Sequence, residues 1–140
     1  MAKYGLPYKG SKGRLADKIF NIFPDRENFY DLFCGGCSMA HKALLSNKFE
    51  NIIINDIDKD MIELFLGAIN GKYHNENRWI SREDFFRLKD IDPYVKVCWS
   101  FGNDCNTYIY GRKIEEYKRC LHYAIVFRDY EPMKKLTGWD

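Results

Sequence analysis

Phe29-Tyr30-Asp31-Leu32-Phe33-Cys34-Gly35-Gly36-Cys37-Ser38 is a short apolar run that meets a carboxylate and then two adjacent glycines. It reads as a strand that breaks into a turn and opens a helix. An acid followed by Gly-Gly also serves an ordinary strand-to-helix turn, so this stretch alone is a weak signal. Asn51-Ile52-Ile53-Ile54-Asn55-Asp56 strengthens it: a second apolar run ends in a second carboxylate, after an intervening segment with helical spacing. Together these have the layout of a βαβ unit that holds a nucleoside, in which glycines let the backbone approach the ligand and the second acid accepts from ribose hydroxyls.

The two runs differ from solvent-facing strands in one respect. Ile52, Ile53 and Ile54 are consecutive rather than alternating, which predicts burial on both faces, as in a parallel sheet. A parallel neighbour needs a crossover helix, and the segment from Ser38 to about Leu45, with Met39, Ala43 and Leu44 as its apolar stripe, supplies one. Before the first run, Leu6-Pro7-Tyr8-Lys9-Gly10-Ser11-Lys12-Gly13 is a glycine-rich basic loop with one aromatic. Leu15, Ile19, Phe20 and Ile22 then follow at helical spacing until Pro24.

After Asp56, the acids Asp58 and Asp60 sit where a helix N-terminus favours negative charge, and Met61, Leu64, Phe65, Ala68 and Ile69 form an amphipathic face closed by Gly71. Tyr73 to Asn77 reads as a polar loop, and Ser81-Arg82-Glu83-Asp84 as a capped helix start that buries Phe85, Phe86 and Leu88. Asp92-Pro93 ends that helix. Val95, Val97 and Trp99 alternate with Lys96 and Cys98, which predicts a half-buried strand, and Thr107 to Tyr110 predicts a short aromatic strand beyond a turn. A last helix spans Ile114 to about Phe127 with Tyr117, Leu121, Ala124 and Ile125 on one face. A tail from Tyr130 to Asp140, with Lys134 and Lys135 beside Glu131 and Asp140, carries no strand.

Length and composition bound the answer without choosing it. A chain of 140 residues, 46% hydrophobic, suits one domain with a real core. A net charge of +2 neither announces nor excludes a nucleic-acid partner. Five cysteines with a single C-x-x-C, Cys34 to Cys37, form neither a zinc-site pattern nor a disulfide framework, which points to reduced thiols and a cytosolic setting. The absence of a signal peptide and of any apolar run near the ~20 residues that span a bilayer gives the same expectation of a soluble intracellular protein. His41, His74 and His122 have no partner at nucleophile-base spacing.

Three separated motifs, P-Y-K-G-S-K from Pro7, D-L-F-C-G-G-C-S from Asp31 and N-D-I-D from Asn55, resemble in order and spacing the Dam-like adenine-specific DNA methyltransferases, which bind S-adenosylmethionine (AdoMet). W-I-S-R-E-D-F-F from Trp79 and D-P-Y-V-K-V-C-W-S-F-G-N-D from Asp92 resemble the stretch that phage and prophage members, including those of restriction-modification type, carry towards the DNA-recognition region. The resemblance covers nearly the whole chain. It implies an α/β chain with a partial Rossmann-like methyltransferase fold, parallel strands with flanking helices, truncated before the catalytic strand. Within one domain over residues 1–140, residues 1–72 would be the AdoMet-binding βαβ half and 73–140 a segment of helices and short strands.

The resemblance also assigns roles. Tyr8 and Lys12 would close over the methionine end of the cofactor, the ring facing the sulfonium and the ammonium facing the carboxylate. Asp31, Phe33, Gly35, Gly36 and Ser38 would form the cofactor turn, Asp56 would hold the ribose hydroxyls, and Ile57 would lie against adenine. The adjacent Gly35-Gly36 departs from the family's F-x-G-x-G spacing. The catalytic D/N-P-P-Y/F motif has one weak counterpart, Asp92-Pro93-Tyr94, which lacks a proline and follows residues too charged for a buried strand.

The reading is therefore an adenine-specific DNA methyltransferase, or its cofactor-binding portion without turnover of its own, acting on double-stranded DNA in the complete enzyme. A second polypeptide or a second copy would complete the sheet. The main alternative is a non-enzymatic phage or mobile-element protein that binds nucleic acid or inhibits a host defence protein through Trp99, Phe101, Tyr108, Tyr110, Arg112, Lys113, Lys118 and Arg119. A third is a small AdoMet- or nucleotide-binding regulator.

Overall fold

The structure, a computed structural model, describes residues 3–138. The end of the tail, Trp139 and Asp140, lies outside the described residues. The chain divides into two compact units, Met1–His74 and Asn75–Asp140.

The first unit is built on two parallel strands. β1 (Asn28–Asp31) pairs with β2 (Asn51–Ile54) in the register Asn28 to Asn51 through Asp31 to Ile54. The ladder runs on past both strands, since Asn55 N–H donates to Asp31 C=O at 2.9 Å and Cys34 N–H to Asn55 C=O at 3.0 Å. The helices of this unit are α1 (Ala16–Phe20), α2 (Ser38–Ser46) and α3 (Lys59–Ile69). Asp58 caps α3 by accepting from Asp60 N–H, as its place before the apolar face predicts. Gly71, at φ +78°, follows Asn70 at the end of that helix, in the left-handed conformation glycine adopts at low steric cost.

Two apolar clusters hold this unit. Phe20, Phe23, Phe29 and Phe49 meet ring to ring, with Phe29 to Phe49 at 5.0 Å and Phe20 to Phe29 at 5.5 Å, fixing α1 to the start of both strands. Cys34, Cys37, Ala40 and Phe65 form the other, against Ile52 and Ile54. The sheet is thus covered on the face of Ile52 and Ile54 only. Tyr30 is 60% exposed and its partner Ile53 38% exposed, so the expectation of burial on both faces holds for one face alone.

The second unit is helical: α4 (Arg82–Leu88), α5 (Pro93–Cys98), α6 (Arg112–His122) continued by a π turn (Tyr123–Phe127), and α7 (Glu131–Thr137). Its core is Ile80, Phe85, Val95, Trp99 and Tyr108, and the Tyr108 hydroxyl donates to Ile80 C=O at 2.7 Å. Arg82 lies over the Tyr108 ring at 4.8 Å and pairs with Glu115 at 3.0 Å, which ties α4 to α6.

Three expectations change here, and one apolar stripe is placed. The alternating Val95-Val97-Trp99 run is helix α5, because Asp92 caps it through Tyr94 N–H and Val95 N–H and Pro93 sits at its first turn. Thr107 to Tyr110 forms no strand; a lone antiparallel bridge joins Ser100 to Tyr108. Tyr117, Leu121 and Ile125 are exposed, while Cys120 and Ala124 turn inward. The tail forms α7, with Pro132 in its first turn and Gly138 as its left-handed cap.

Candidate functional site

The end of β1 and the start of α2 are joined by a tight turn, Cys34-Gly35-Gly36-Cys37, closed by Cys37 N–H donating to Cys34 C=O at 2.7 Å. Gly35 has φ +48°, a region glycine adopts at low steric cost, and Gly36 does not have positive φ. Cys37 then enters α2 from the left-handed region at φ +57°. The two acids at the strand ends both brace this turn. Asp56 accepts from Gly35 N–H at 2.7 Å through one oxygen and from Asp58 N–H at 3.0 Å through the other. Asp31 accepts from Ala40 N–H at 3.2 Å, tying β1 to the first turn of α2.

Their environments differ. Backbone donors at Asp58 and Gly35 hold the Asp56 carboxyl below the usual range. Burial pushes the Asp31 carboxyl up, and the neighbouring Asp56 charge adds to that push. Each oxygen retains acceptor capacity beyond the bond it makes here.

The N-terminal segment lies across the same turn. Leu6 N–H donates to Gly36 C=O at 2.7 Å, and Gly5 N–H donates to His41 Nδ1 at 3.0 Å. A Cβ on Gly36 would meet Tyr8 Cβ at 2.6 Å and Leu6 O at 2.9 Å, and one on Gly35 would meet Tyr8 Cε1 at 3.0 Å. Glycine at both positions is therefore a packing requirement, and Tyr8 rests directly on the pair. Gly13 returns to Ser38, since a Cβ there would lie 3.8 Å from Ser38 Cβ. Between Tyr8 and Gly13 the loop is held by Ser11 N–H to Tyr8 C=O at 3.1 Å, and the exposed Lys12 folds its Nζ onto Gly10 C=O at 2.9 Å.

Tyr8, Asp31, Gly35, Gly36, Ser38 and Asp56 thus come together at one end of the sheet. Phe33 and Ile57 sit beside them, 89% and 99% exposed, two apolar side chains with no cover. Asp92, Pro93 and Tyr94 belong to the second unit, where Asp92 serves as a helix cap and pairs with Arg78 at 3.1 Å. The aromatic and basic group of the second half does not form one face: Trp99 and Tyr108 are core, and Arg119 pairs with Glu116.

His41, which has no partner at nucleophile-base spacing in the sequence, anchors the N-terminal segment. So does Gly5, at φ +74°, where a Cβ would lie 2.4 Å from Gly36 O. The glycine in Tyr4-Gly5-Leu6 was the available signal.

Residues 8–128 match the model of the D12 class N6 adenine-specific DNA methyltransferases. The chain belongs to this family. Within it, the chain is 26% identical over 117 residues to the type II methyltransferase M.FokI of Planomicrobium okeanokoites, a match spanning 71% of this chain and 18% of that protein. The chain therefore covers less than a fifth of that relative's length. No solved structure matches. The family match takes in the turn, both strand ends and most of the second unit, and no helix among the described residues is long and apolar enough to cross a membrane.

The D12 family's normal cofactor is AdoMet, and the donor set suits it. A glycine pair packed beneath an aromatic allows close backbone approach, a carboxylate with spare acceptor capacity suits a ribose diol, and uncovered Phe33 and Ile57 offer apolar contact to a purine.

Proposed function

We propose that this end of the sheet is the AdoMet site of a DNA adenine methyltransferase, and that the chain of 140 residues binds the cofactor without completing methyl transfer alone. The observation that carries the reading is the convergence of Tyr8 and Asp56 on Gly35, from sequence positions far on either side of it. Asp56 would accept from the ribose hydroxyls, and Ile57 and Phe33 would flank the adenine. Tyr8 would present its ring to the sulfonium, and Lys12, once released from Gly10, would meet the methionine carboxylate.

When bound, AdoMet supplies a methyl group on a good leaving group, so the protein's work is placement of the acceptor. An acid, a proline carbonyl and a stacking aromatic would hold a flipped adenine in double-stranded DNA, and no D/N-P-P-Y/F sequence occurs in these 140 residues. With Asp92 engaged as a helix cap, the reading gives Asp92-Pro93-Tyr94 a structural role. Further chain, from the same or a second polypeptide or a second copy, would complete a Rossmann-like sheet and cover Tyr30 and Ile53. A DNA substrate in a bacterial or phage-infected cell puts the protein in the cytoplasm.

Titration calorimetry with AdoMet tests the first half. Saturable binding by the parent, weakened at least about tenfold in Asp56→Ala, is expected; no heat with folded protein at high micromolar ligand refutes it. Methyl transfer to unmethylated DNA tests the second, and robust turnover by this chain would overturn it.

A further inference from the structure

The Cys34-Gly35-Gly36-Cys37 turn carries a feature that cofactor binding does not use. The two Sγ atoms lie 3.5 Å apart, both thiols are free, and both residues are buried, Cys34 at 7% and Cys37 at 0% exposure. A turn closed by a hydrogen bond from its fourth N–H to its first C=O keeps its end Cα atoms within about 7 Å. That is the window in which a disulfide forms without moving the backbone far. The Sγ atoms need only close from 3.5 Å to about 2.05 Å.

We propose that Cys34 and Cys37 are a reversible dithiol/disulfide modification site, and that closing it weakens AdoMet binding at the turn; the second clause rests on the function proposed above. The oxidant class is a low-molecular-weight disulfide such as oxidised glutathione. Cys34, the less buried thiol, loses its proton and attacks one sulfur of the oxidant, forming a mixed disulfide and releasing one glutathione thiol. Cys37 then loses its proton and attacks Cys34 Sγ, forming the internal bond and releasing the second glutathione thiol. The protein loses two electrons and two protons, and one glutathione disulfide becomes two thiols.

Burial raises the affinity of both thiols for their protons, so the reaction runs slowly, through opening of the turn. The bond acts on the cofactor site because Gly35 N–H, held by Asp56, and Gly36 C=O, held by Leu6, lie between the two sulfurs in the chain.

The test incubates the full chain with oxidised glutathione, alkylates remaining thiols after denaturation, and maps the peptide containing Cys34 and Cys37 by mass spectrometry. Loss of two hydrogens within that peptide, reversed by reductant and abolished in Cys37→Ser, is expected. Alkylation of both cysteines, or a glutathione adduct that never resolves, overturns the modification site.

AdoMet titration of the reduced and oxidised parent is expected to differ about tenfold in affinity. Equal affinity overturns the coupling. No affinity in the reduced protein overturns the proposed function instead, and the mapping, which needs no ligand or variant, still decides the dithiol.

Discussion

Gly36→Ala probes the junction on which the site depends. The added Cβ would lie 2.6 Å from Tyr8 Cβ and 2.9 Å from Leu6 O, distances at which something must move, and neither neighbour is the end of a flexible side chain. Since Gly36 does not have positive φ, the cost is contact alone. Overpacking of this kind costs about 1–3 kcal/mol, and the Leu6 to Gly36 hydrogen bond that is lost as the segment lifts contributes roughly 0.5–1.5 kcal/mol. The sum, about 1.5–4.5 kcal/mol, falls on the N-terminal segment and not on the sheet.

Amide hydrogen exchange reads this locally. Leu6 N–H should lose about 10- to 1500-fold in protection, since each 1.4 kcal/mol is a factor of ten. Asn55 N–H, bonded within the ladder to Asp31, serves as reference in the same sample and should change little. AdoMet affinity should fall with the Leu6 protection. Unchanged protection at Leu6 would refute the packing of Tyr8 and Leu6 on the glycine pair, and equal loss at Asn55 would show that the segment and the sheet open as one.

Two further outcomes follow from the geometry. In a carboxyl-detected NMR titration, Asp31 should titrate above Asp56, since burial raises the first and backbone donors lower the second from a common value of 3.8. The signs oppose: stability contributed by Asp56 is present above the unfolded value and lost as pH falls through its lowered folded value. Ionised Asp31 costs stability, which is recovered as pH falls through its raised one. Coincident midpoints would contradict the two environments. Asp92→Ala removes the cap of α5 and one of the two carboxylate partners of Arg78, and should cost about 1 kcal/mol in urea denaturation while leaving AdoMet affinity unchanged; lost AdoMet affinity with intact stability would contradict its structural role.

The first unit was legible because its signals agree at every level. The acid at each strand end, the Asp58 cap and the glycine pair all specify the same crossover, and the structure keeps each within a residue or two; the consecutive isoleucines marked β2 but not the open face at Ile53. The second half carried competing signals. Val95-Lys96-Val97-Cys98-Trp99 alternates as a strand does, yet Asp92-Pro93 places a cap and a first-turn proline ahead of it, and the local cap decided the outcome. Glu131-Pro132 and Gly138 bracket α7 in the same way. Tyr117, Leu121 and Ile125 show the limit of periodicity, which marks an apolar stripe but not whether anything covers it. Gly5 signals a turn, but its contact with His41 was not legible because the two lie 36 residues apart.

The central claim is that the end of the two-stranded sheet takes AdoMet, and amide chemical shifts measured during an AdoMet titration address it residue by residue. Saturable shifts at Gly35, Gly36, Ser38 and Ile57, with Val95 and Tyr108 of the second unit unmoved, are the predicted result. Shifts confined to residues 75–138, or none at saturating ligand, would contradict it.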